Sequence, residues 1–247
     1  MMQLKKILPS VLFWIVTDAA LAEAPSFKLT VGSYNATGGD VPDARGTDLN
    51  LRSTSNYGNT WVGWYKQDGI KQWRTGWDNS FSVGLIKLQP SLQAASGGFW
   101  GGSFGVETGE EIHKNWYVGA GIGRTNLRPY VNLNFDPNDA LMASGGYRFS
   151  SRESLGLQWV RDNRLNIDQR NVHLVYRKAL SEHERLTLDA FSKTGSVGLA
   201  SGNTEKINKF GLSVGYDWRE YFVKVSYDPR VNFTTQNMLR LSVGTRF

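Results

Sequence analysis

Histidine, serine and acidic residues are the side chains of this sequence that could carry out catalysis. There are three histidines and no cysteine. His113 and His183 fall in charged, turn-like stretches, whereas His173 lies inside an alternating stretch, with Asp189 as a candidate partner for an acid–base dyad. A polar residue facing a water-filled interior is the simpler explanation of His173, and Ser181 beside His183 indicates an exposed turn. No motif of a lipid-modifying enzyme is found, so no catalytic residue is predicted.

Metal and cofactor chemistry has little support in the sequence. Without cysteine, a metal site would need clustered histidines and carboxylates. The stretch 136–139, Asp-Pro-Asn-Asp, contains calcium-type ligands but is too short for a calcium loop and has strong turn chemistry. Gly119, Gly121 and Gly123 are not a nucleotide fingerprint, because no helix follows them. We therefore expect no cofactor and no metal.

Charged residues concentrate on one face of the alternating stretches. The formal net charge is +6. The candidate anion-attracting residues of this face are Arg52, Arg74, Arg148, His173, Arg177, Lys209, Lys224, Arg240 and Arg246, together with Lys28 and Lys193. The acidic residues of the same face are Asp48, Glu107, Asp162, Asp189 and Asp217. If this face lines an open bore, it favours anions; if arginines and acids pair, they form a ladder that braces and plugs the bore.

The elements that position these residues have the period of β-strands. Apolar residues alternate with small or polar ones at 155–160, 171–177, 209–218 and 238–247, and a helix could not present that pattern on one face. Further strands are expected at about 26–35, 46–55, 58–67, 70–88, 91–107, 114–126, 129–136, 139–149, 185–194 and 220–228. The pattern predicts an all-β fold, an antiparallel up-and-down transmembrane barrel of about 12 to 14 strands with apolar side chains facing lipid.

The connections suggest which end of the barrel faces which side of a membrane. With a periplasmic start, short turns are expected after even strands, including Gln89–Pro90 and Leu127–Arg128. Longer external loops are expected after odd strands, including Thr108–His113. Outer-membrane barrels show this asymmetry between short periplasmic turns and longer external loops.

Aromatic residues near strand ends suggest the two membrane interfaces. The expected interface residues are Trp116, Trp159, Tyr176, Trp218, Tyr221 and Phe247. Of these, Tyr176, Trp218, Tyr221 and Phe247 are assigned to the periplasmic interface with Tyr147 and Phe149. Trp116 and Trp159 are assigned to the external interface with Phe135, Phe210 and Tyr227.

The first 22 residues have the pattern of an export signal. Lys5 and Lys6 precede an apolar run of about ten residues, which is too short to span a bilayer as a helix, and Ala20-Leu21-Ala22 offers a small-x-small cleavage site. We expect a signal peptide at 1–22 and a mature barrel domain at 23–247.

The last strand, with Leu239, Leu241, Val243 and the aromatic Phe247, resembles the sorting signature of Gram-negative outer-membrane β-barrel proteins. This resemblance implies location in the outer membrane, contact with its lipids and lipopolysaccharide, and recognition by the barrel-assembly machinery, with no nucleic-acid partner. The expected function is a porin-like channel for small polar or anionic solutes. The alternatives are a non-conducting structural or surface-interaction barrel and, third, a lipid-modifying enzyme.

Overall fold

The computed structural model describes residues 26–39, 42–108, 115–133, 136–199 and 201–247. The expected signal peptide at 1–22, Phe135 and His113 lie outside these residues. The strands are β1 (Ser26–Thr37), β2 (Ala44–Ser55), β3 (Gly58–Gln67), β4 (Ile70–Asp78), β5 (Phe81–Val83), β6 (Ile86–Ala95), β7 (Phe99–Thr108), β8 (Trp116–Thr125), β9 (Ala140–Ser150), β10 (Glu153–Asp162), β11 (Arg170–Ala179), β12 (Glu184–Gly198), β13 (Thr204–Trp218), β14 (Tyr221–Asp228) and β15 (Asn237–Arg246).

These strands form one closed antiparallel barrel. Each strand pairs with its neighbour in sequence except β4 and β5: β4 pairs with β6, and the short strand β5 pairs with β6 alone. The barrel closes where β1 pairs with β15. Fourteen strands therefore form the wall, which confirms the all-β barrel at the upper predicted count. Closure leaves the fourteen wall strands paired on both sides, so their backbone groups are satisfied without water. In the described part of the chain, no helix is long and apolar enough to cross a membrane.

The two faces of the wall differ as the alternation predicts. In β10, Leu157 points outward and is 52% exposed, whereas its neighbours Gly156 and Gln158 point into the lumen. Outward Leu212 and Val214 in β13 likewise flank Ser213, which is 2% exposed. Apolar side chains on the outside and polar ones inside suit a barrel surrounded by lipid.

Three of the predicted strands are wrong in their bounds. The stretch expected at 70–88 contains a turn at Gly84, whose φ is 56°, and the stretch expected at 91–107 turns at 96–98. The stretch expected at 129–136 is no strand where the structure describes it. The two stretches at 70–88 and 91–107 cover the three wall strands β4, β6 and β7, so one strand was missed. Because one non-strand was also counted, the number of wall strands was still right.

Long connections leave one end of the barrel, here named the loop end. They span 38–43, 126–139, 163–169 and 229–236. At the opposite turn end, Phe27 and Phe247 exchange backbone hydrogen bonds of 2.7 and 2.9 Å. Three of the predicted connections differ from those in the structure.

Gln89–Pro90 is not a turn but lies within β6, at the point where its partner changes from β5 to β4. Proline has no N–H to donate to a regular ladder of backbone hydrogen bonds. It is tolerated at this point because the pairing is irregular there. Leu127–Arg128 begins a long loop-end connection instead of a periplasmic turn. The connection after Thr108 joins strands at the turn end, because Thr108 pairs with Ile86 and the next strand begins at Trp116 opposite Tyr147.

The interface aromatics fall mostly at the expected ends. Trp218 and Tyr221 flank one tight turn, and Phe247 stacks on Phe27 with ring centroids 5.8 Å apart. Trp116 is the exception: it packs against Tyr147, 4.8 Å between centroids, so it belongs to the turn end instead of the opposite end. The error follows from the misplaced turns upstream, which inverted the direction of this strand.

Candidate functional site: the lumen and its inserted segment

Residues 126–133 and 136–139 do not stay outside the barrel but pass into the lumen, and we name them the inserted segment. Tyr130 stacks on Phe99 of β7, with ring centroids 4.1 Å apart. The Val131 amide donates to Gln72 Oε1 of β4 at 2.8 Å. Leu133 is buried against Tyr34 and Tyr65, the largest fully buried aromatics of the inner wall. The segment thus contacts walls on several sides of the lumen.

The side chains of Arg240 and Asn232 hold the backbone of this segment. Arg240 of β15 donates from Nη1 to the Leu133 carbonyl at 2.8 Å, and its guanidinium lies over the Tyr34 ring, 5.0 Å from the centroid. Asn232 of the last loop donates to the Asn132 carbonyl at 2.8 Å. Each of these contacts fixes a backbone carbonyl of the segment to the wall or to the last loop. Arg240 therefore has a structural role beyond its charge.

His173 joins the inserted segment to the far wall. Its Nδ1 lies 2.9 Å from Asp189 and its Nε2 lies 3.0 Å from Asp136, which also accepts a 2.9 Å hydrogen bond from Asn171. A catalytic base needs a free ring nitrogen aimed at a nucleophile. Both nitrogens of His173 are engaged by carboxylates, so the arrangement is that of a clamp.

The His173 clamp also packs against an aromatic ring. Phe191 stacks on the His173 ring with centroids 5.0 Å apart. A Cβ at Gly211 would lie 2.2 Å from the Phe191 ring, so only glycine leaves room for the ring in this position. Because Phe191 and His173 face each other on β12 and β11, the glycine on β13 fixes the clamp indirectly.

Asp139 fixes the loop-end base of the inserted segment. It accepts hydrogen bonds from the Thr125 amide at 3.1 Å, from the Thr125 hydroxyl, and from Arg164 Nη1 at 3.0 Å. Burial favours the neutral carboxyl, but the hydrogen bonds of Thr125 and Arg164 outweigh it and hold the pKa of Asp139 below its usual value. Asp139 thus stays ionised and ties β8 to the 163–169 loop.

About half of the inward-facing lysines and arginines have an acidic partner. The pairs are Arg52 with Asp78, Arg74 with Asp48 at 3.0 Å, Arg148 with Glu107 at 3.9 Å, Lys193 with Asp228 at 2.5 Å and Arg246 with Asp217 at 2.5 Å. Both members of the Lys193 pair are completely buried. A buried charge without its partner is strongly destabilising, so the buried Arg74 and Lys193 pairs brace the wall, whereas the more exposed pairs contribute less. The bracing ladder considered from sequence is therefore present for about half of the predicted basic residues.

The remaining cations are arranged differently. Lys28 lies over the Phe222 ring, 4.1 Å from its centroid, and Lys209 is exposed on the inward face opposite Lys193. Among the described residues, neither Arg177 nor Lys224 forms an ion pair or a side-chain hydrogen bond. Their charges are available to a solute in the lumen.

Cavities follow one another through the barrel. A cavity of about 220 Å³ at the loop end shares Tyr130 and Asp136 with a central one of about 610 Å³. The central cavity shares Lys28, Lys224 and Arg240 with another of about 410 Å³, whose Asp217 also lines a cavity at the turn end. The inserted segment lines the first three, so it shapes the narrow part of the lumen.

Several of these residues were not predicted from the sequence. Asp78, Asp136 and Asp228 all bind inward-facing basic residues, yet each lies at a strand end or in a connection where alternation assigns no face. The Asp-Pro-Asn-Asp stretch was interpreted as a hairpin turn, whereas its first residue is the centre of the His173 clamp. Among the described residues, no group of three His, Cys, Asp or Glu side chains is arranged to hold a metal ion.

A closed antiparallel barrel with an apolar outside and a charged lumen is the architecture of a transmembrane β-barrel. Among solved structures, the outer membrane protein Omp33 of Acinetobacter baumannii aligns with 90% of this chain and 98% of its own, at TM-score 0.54 and 10% identity. NanC porin (12% identity, 88% and 98% covered) and KdgM porin (8%, 88% and 99%) each align at TM-score 0.46. No protein-family model and no curated protein matches the chain.

Proposed function

We propose that this protein is a porin-like channel that passes small polar or anionic solutes across the outer membrane. The observation that carries the proposal is the succession of polar cavities along the lumen, each sharing lining residues with the next. A side-chain-filled barrel would have no such path, and a barrel of fourteen strands lies between small filled barrels and wide porins.

The charges of the lumen divide into two groups with different consequences. Paired cations such as Arg74 stabilise the wall and contribute little net field, because a carboxylate lies beside each of them. Arg177 and Lys224 have no such partner among the described residues, and charges in a low-dielectric wall concentrate counter-ions. A weak preference for anions follows from this second group.

Location and maturation are part of the same proposal. Export by a signal peptide at 1–22 delivers the mature domain, 23–247, to the outer membrane. The outward face of Leu157, Leu212 and Val214 contacts lipid and lipopolysaccharide. The last strand, ending near Phe247, is read by the barrel-assembly machinery. The Trp116, Trp159 and Tyr176 rings lie on the outward face, where aromatic side chains favour the interface.

Planar-bilayer recording of the purified, folded protein tests the function. We expect discrete conductance steps and, in a potassium chloride gradient, a reversal potential displaced toward the chloride equilibrium potential, because Arg177 and Lys224 have no acidic partner among the described residues. Heat-unfolded protein is the control for detergent artefacts. Folded protein that inserts but never conducts would contradict the proposal and favour the non-conducting barrel.

A lipid-modifying enzyme is the less favoured alternative. Such an enzyme needs a nucleophile beside an available base. His173 is held by Asp136 and Asp189 through both ring nitrogens, which disfavours it as that base. Release of fatty acid from phospholipid vesicles by the purified protein, lost in His173→Gln, is the result that would instead support an enzyme.

A further inference from the structure

The strongest remaining feature of the lumen is the cavity of about 410 Å³ in its turn-end half, here named the lower cavity. Its lining includes Arg177 of β11 and Lys224 of β14. The neutral hydrogen-bonding side chains of Gln158, Thr187 and Ser213 lie in the same lining. The cavity thus combines two unpaired cations with neutral donors and acceptors.

The acids of the lower cavity are already engaged. Asp136 and Asp189 both bind His173, and Asp217 binds Arg246 at 2.5 Å. These carboxylates therefore do not neutralise Arg177 or Lys224 by direct contact. Like charges gathered in one low-dielectric cavity repel each other, and an incoming anion relieves that repulsion.

The two cations stand on different sides of the lower cavity. Strands β12 and β13 separate β11, which carries Arg177, from β14, which carries Lys224. Thr187 and Gly215, opposite each other in register, occupy the wall between them and carry no charge. At about 4.8 Å between neighbouring strands, the two backbones are roughly 14 Å apart along the wall. Long side chains that reach inward from both sides can meet the two ends of one small solute.

We propose that the lower cavity is a binding site for small dicarboxylate solutes, in which Arg177 holds one carboxylate and Lys224 the other. This inference rests on the proposed channel function and names its substrate class. The guanidinium of Arg177 offers paired donors that match the two oxygens of a carboxylate, and Lys224 supplies a compact point charge. Lys28 and Arg240, which also line the cavity, remain engaged with the Phe222 and Tyr34 rings and add to the field.

Calorimetric titration of the folded barrel in detergent with succinate tests the site without requiring conduction. We expect saturable binding that weakens as sodium chloride is added, and no binding of the uncharged analogue succinamide. Arg177→Gln combined with Lys224→Gln should weaken succinate binding roughly tenfold or more, because both charged contacts are lost. Lys209→Gln is the matched control: it removes one inward charge that does not line the lower cavity, and binding should stay within about twofold of the unmodified protein.

Folding of each variant is checked by its heat-dependent gel mobility, and the single variants are titrated if the double variant does not fold. Each single variant should lose part of the affinity. Absence of saturable succinate binding to the unmodified protein overturns the proposal, as does an equal loss in Lys209→Gln. Inorganic phosphate binding as tightly as succinate overturns the dicarboxylate assignment. A barrel that binds succinate but passes no current contradicts the channel function alone, so the two failures are distinguishable.

Discussion

The Asp139 carboxylate makes the stability of the loop end depend on pH. Its pKa is held below the usual value in the folded protein, chiefly by Thr125 and Arg164 against the opposing effect of burial. A depressed folded pKa gives stability that is fully present above the unfolded pKa and is lost as pH falls through the folded one. The affected window therefore lies below the ordinary aspartate pKa of about 3.9.

We expect Asp139→Asn to lower the unfolding temperature at neutral pH, because an amide cannot accept all the hydrogen bonds of the carboxylate. The variant should also lose less additional stability than the unmodified protein between about pH 5 and pH 2. Thermal unfolding in detergent, followed by circular dichroism at each pH, measures both effects. Asp68→Asn, in an exposed turn, is the control. Identical pH profiles for Asp139→Asn and the unmodified protein would contradict this role of Asp139.

At the scale of elements, the inserted segment is held in the lumen by separate anchors. Asp136 bonds to His173 and Asn171, the Leu133 carbonyl to Arg240, and the Val131 amide to Gln72. Asp136→Ala removes the anchor on the β11 side while the others remain. Its loss leaves the buried Nε2 of His173 without its carboxylate partner, which costs about 1–3 kcal/mol.

We expect Asp136→Ala to raise the single-channel conductance and its fluctuations, because the inserted segment lines the narrow part of the lumen and becomes less constrained. Single-channel recording in planar bilayers is the measurement. Asp43→Ala is the matched control, since Asp43 accepts a hydrogen bond from Gly38 in a loop outside the lumen. A folded Asp136→Ala channel with unchanged conductance and noise would show that this anchor does not limit the bore.

The inserted segment also explains how far the sequence could predict the fold. Tyr130, Val131, Asn132 and Leu133 alternate like a strand, and alternation correctly predicted most of the wall. However, an extended segment with one buried side has the same period whether it pairs in a sheet or packs within a lumen. Leu133 packs on Tyr34 and Tyr65 instead of facing lipid, and sequence spacing carries no record of that distant contact.

The charged lumen was predictable in part for a related reason. Alternation within a strand assigns Arg74, Arg177 and Lys224 to the inner face, where the structure also has them. Alternation does not predict which of these cations form an ion pair with a carboxylate. Pairs such as Arg74 with Asp48 join different strands, and the relative register of those strands depends on turns. The distinction between bracing and solute-facing cations therefore required the three-dimensional structure.

For the whole molecule, the two faces of the wall should react differently with a water-soluble reagent. The chain has no cysteine, so single introduced cysteines report on one site each. We expect a membrane-impermeant thiol reagent to label Gln158→Cys, which lines two cavities, and to leave Leu157→Cys unlabelled in native membranes. Both should react after unfolding. Labelling of position 157 but not of position 158 would reverse the assignment of the faces.

The pairing of β1 with β15 differs from every other pairing of the wall in the sequence distance that it joins. Lys28 lies opposite Arg246, 218 positions along the chain, whereas the other paired strands follow closely in sequence. Bringing together the ends of a chain of that length carries an entropic cost on the order of 5 kcal/mol. We therefore expect assembly to include one slow, non-local step after a series of fast hairpin additions. Before that step, the protein would be a curved open sheet whose two free edges can pair with another chain, so we expect the unclosed form to be its aggregation-prone state.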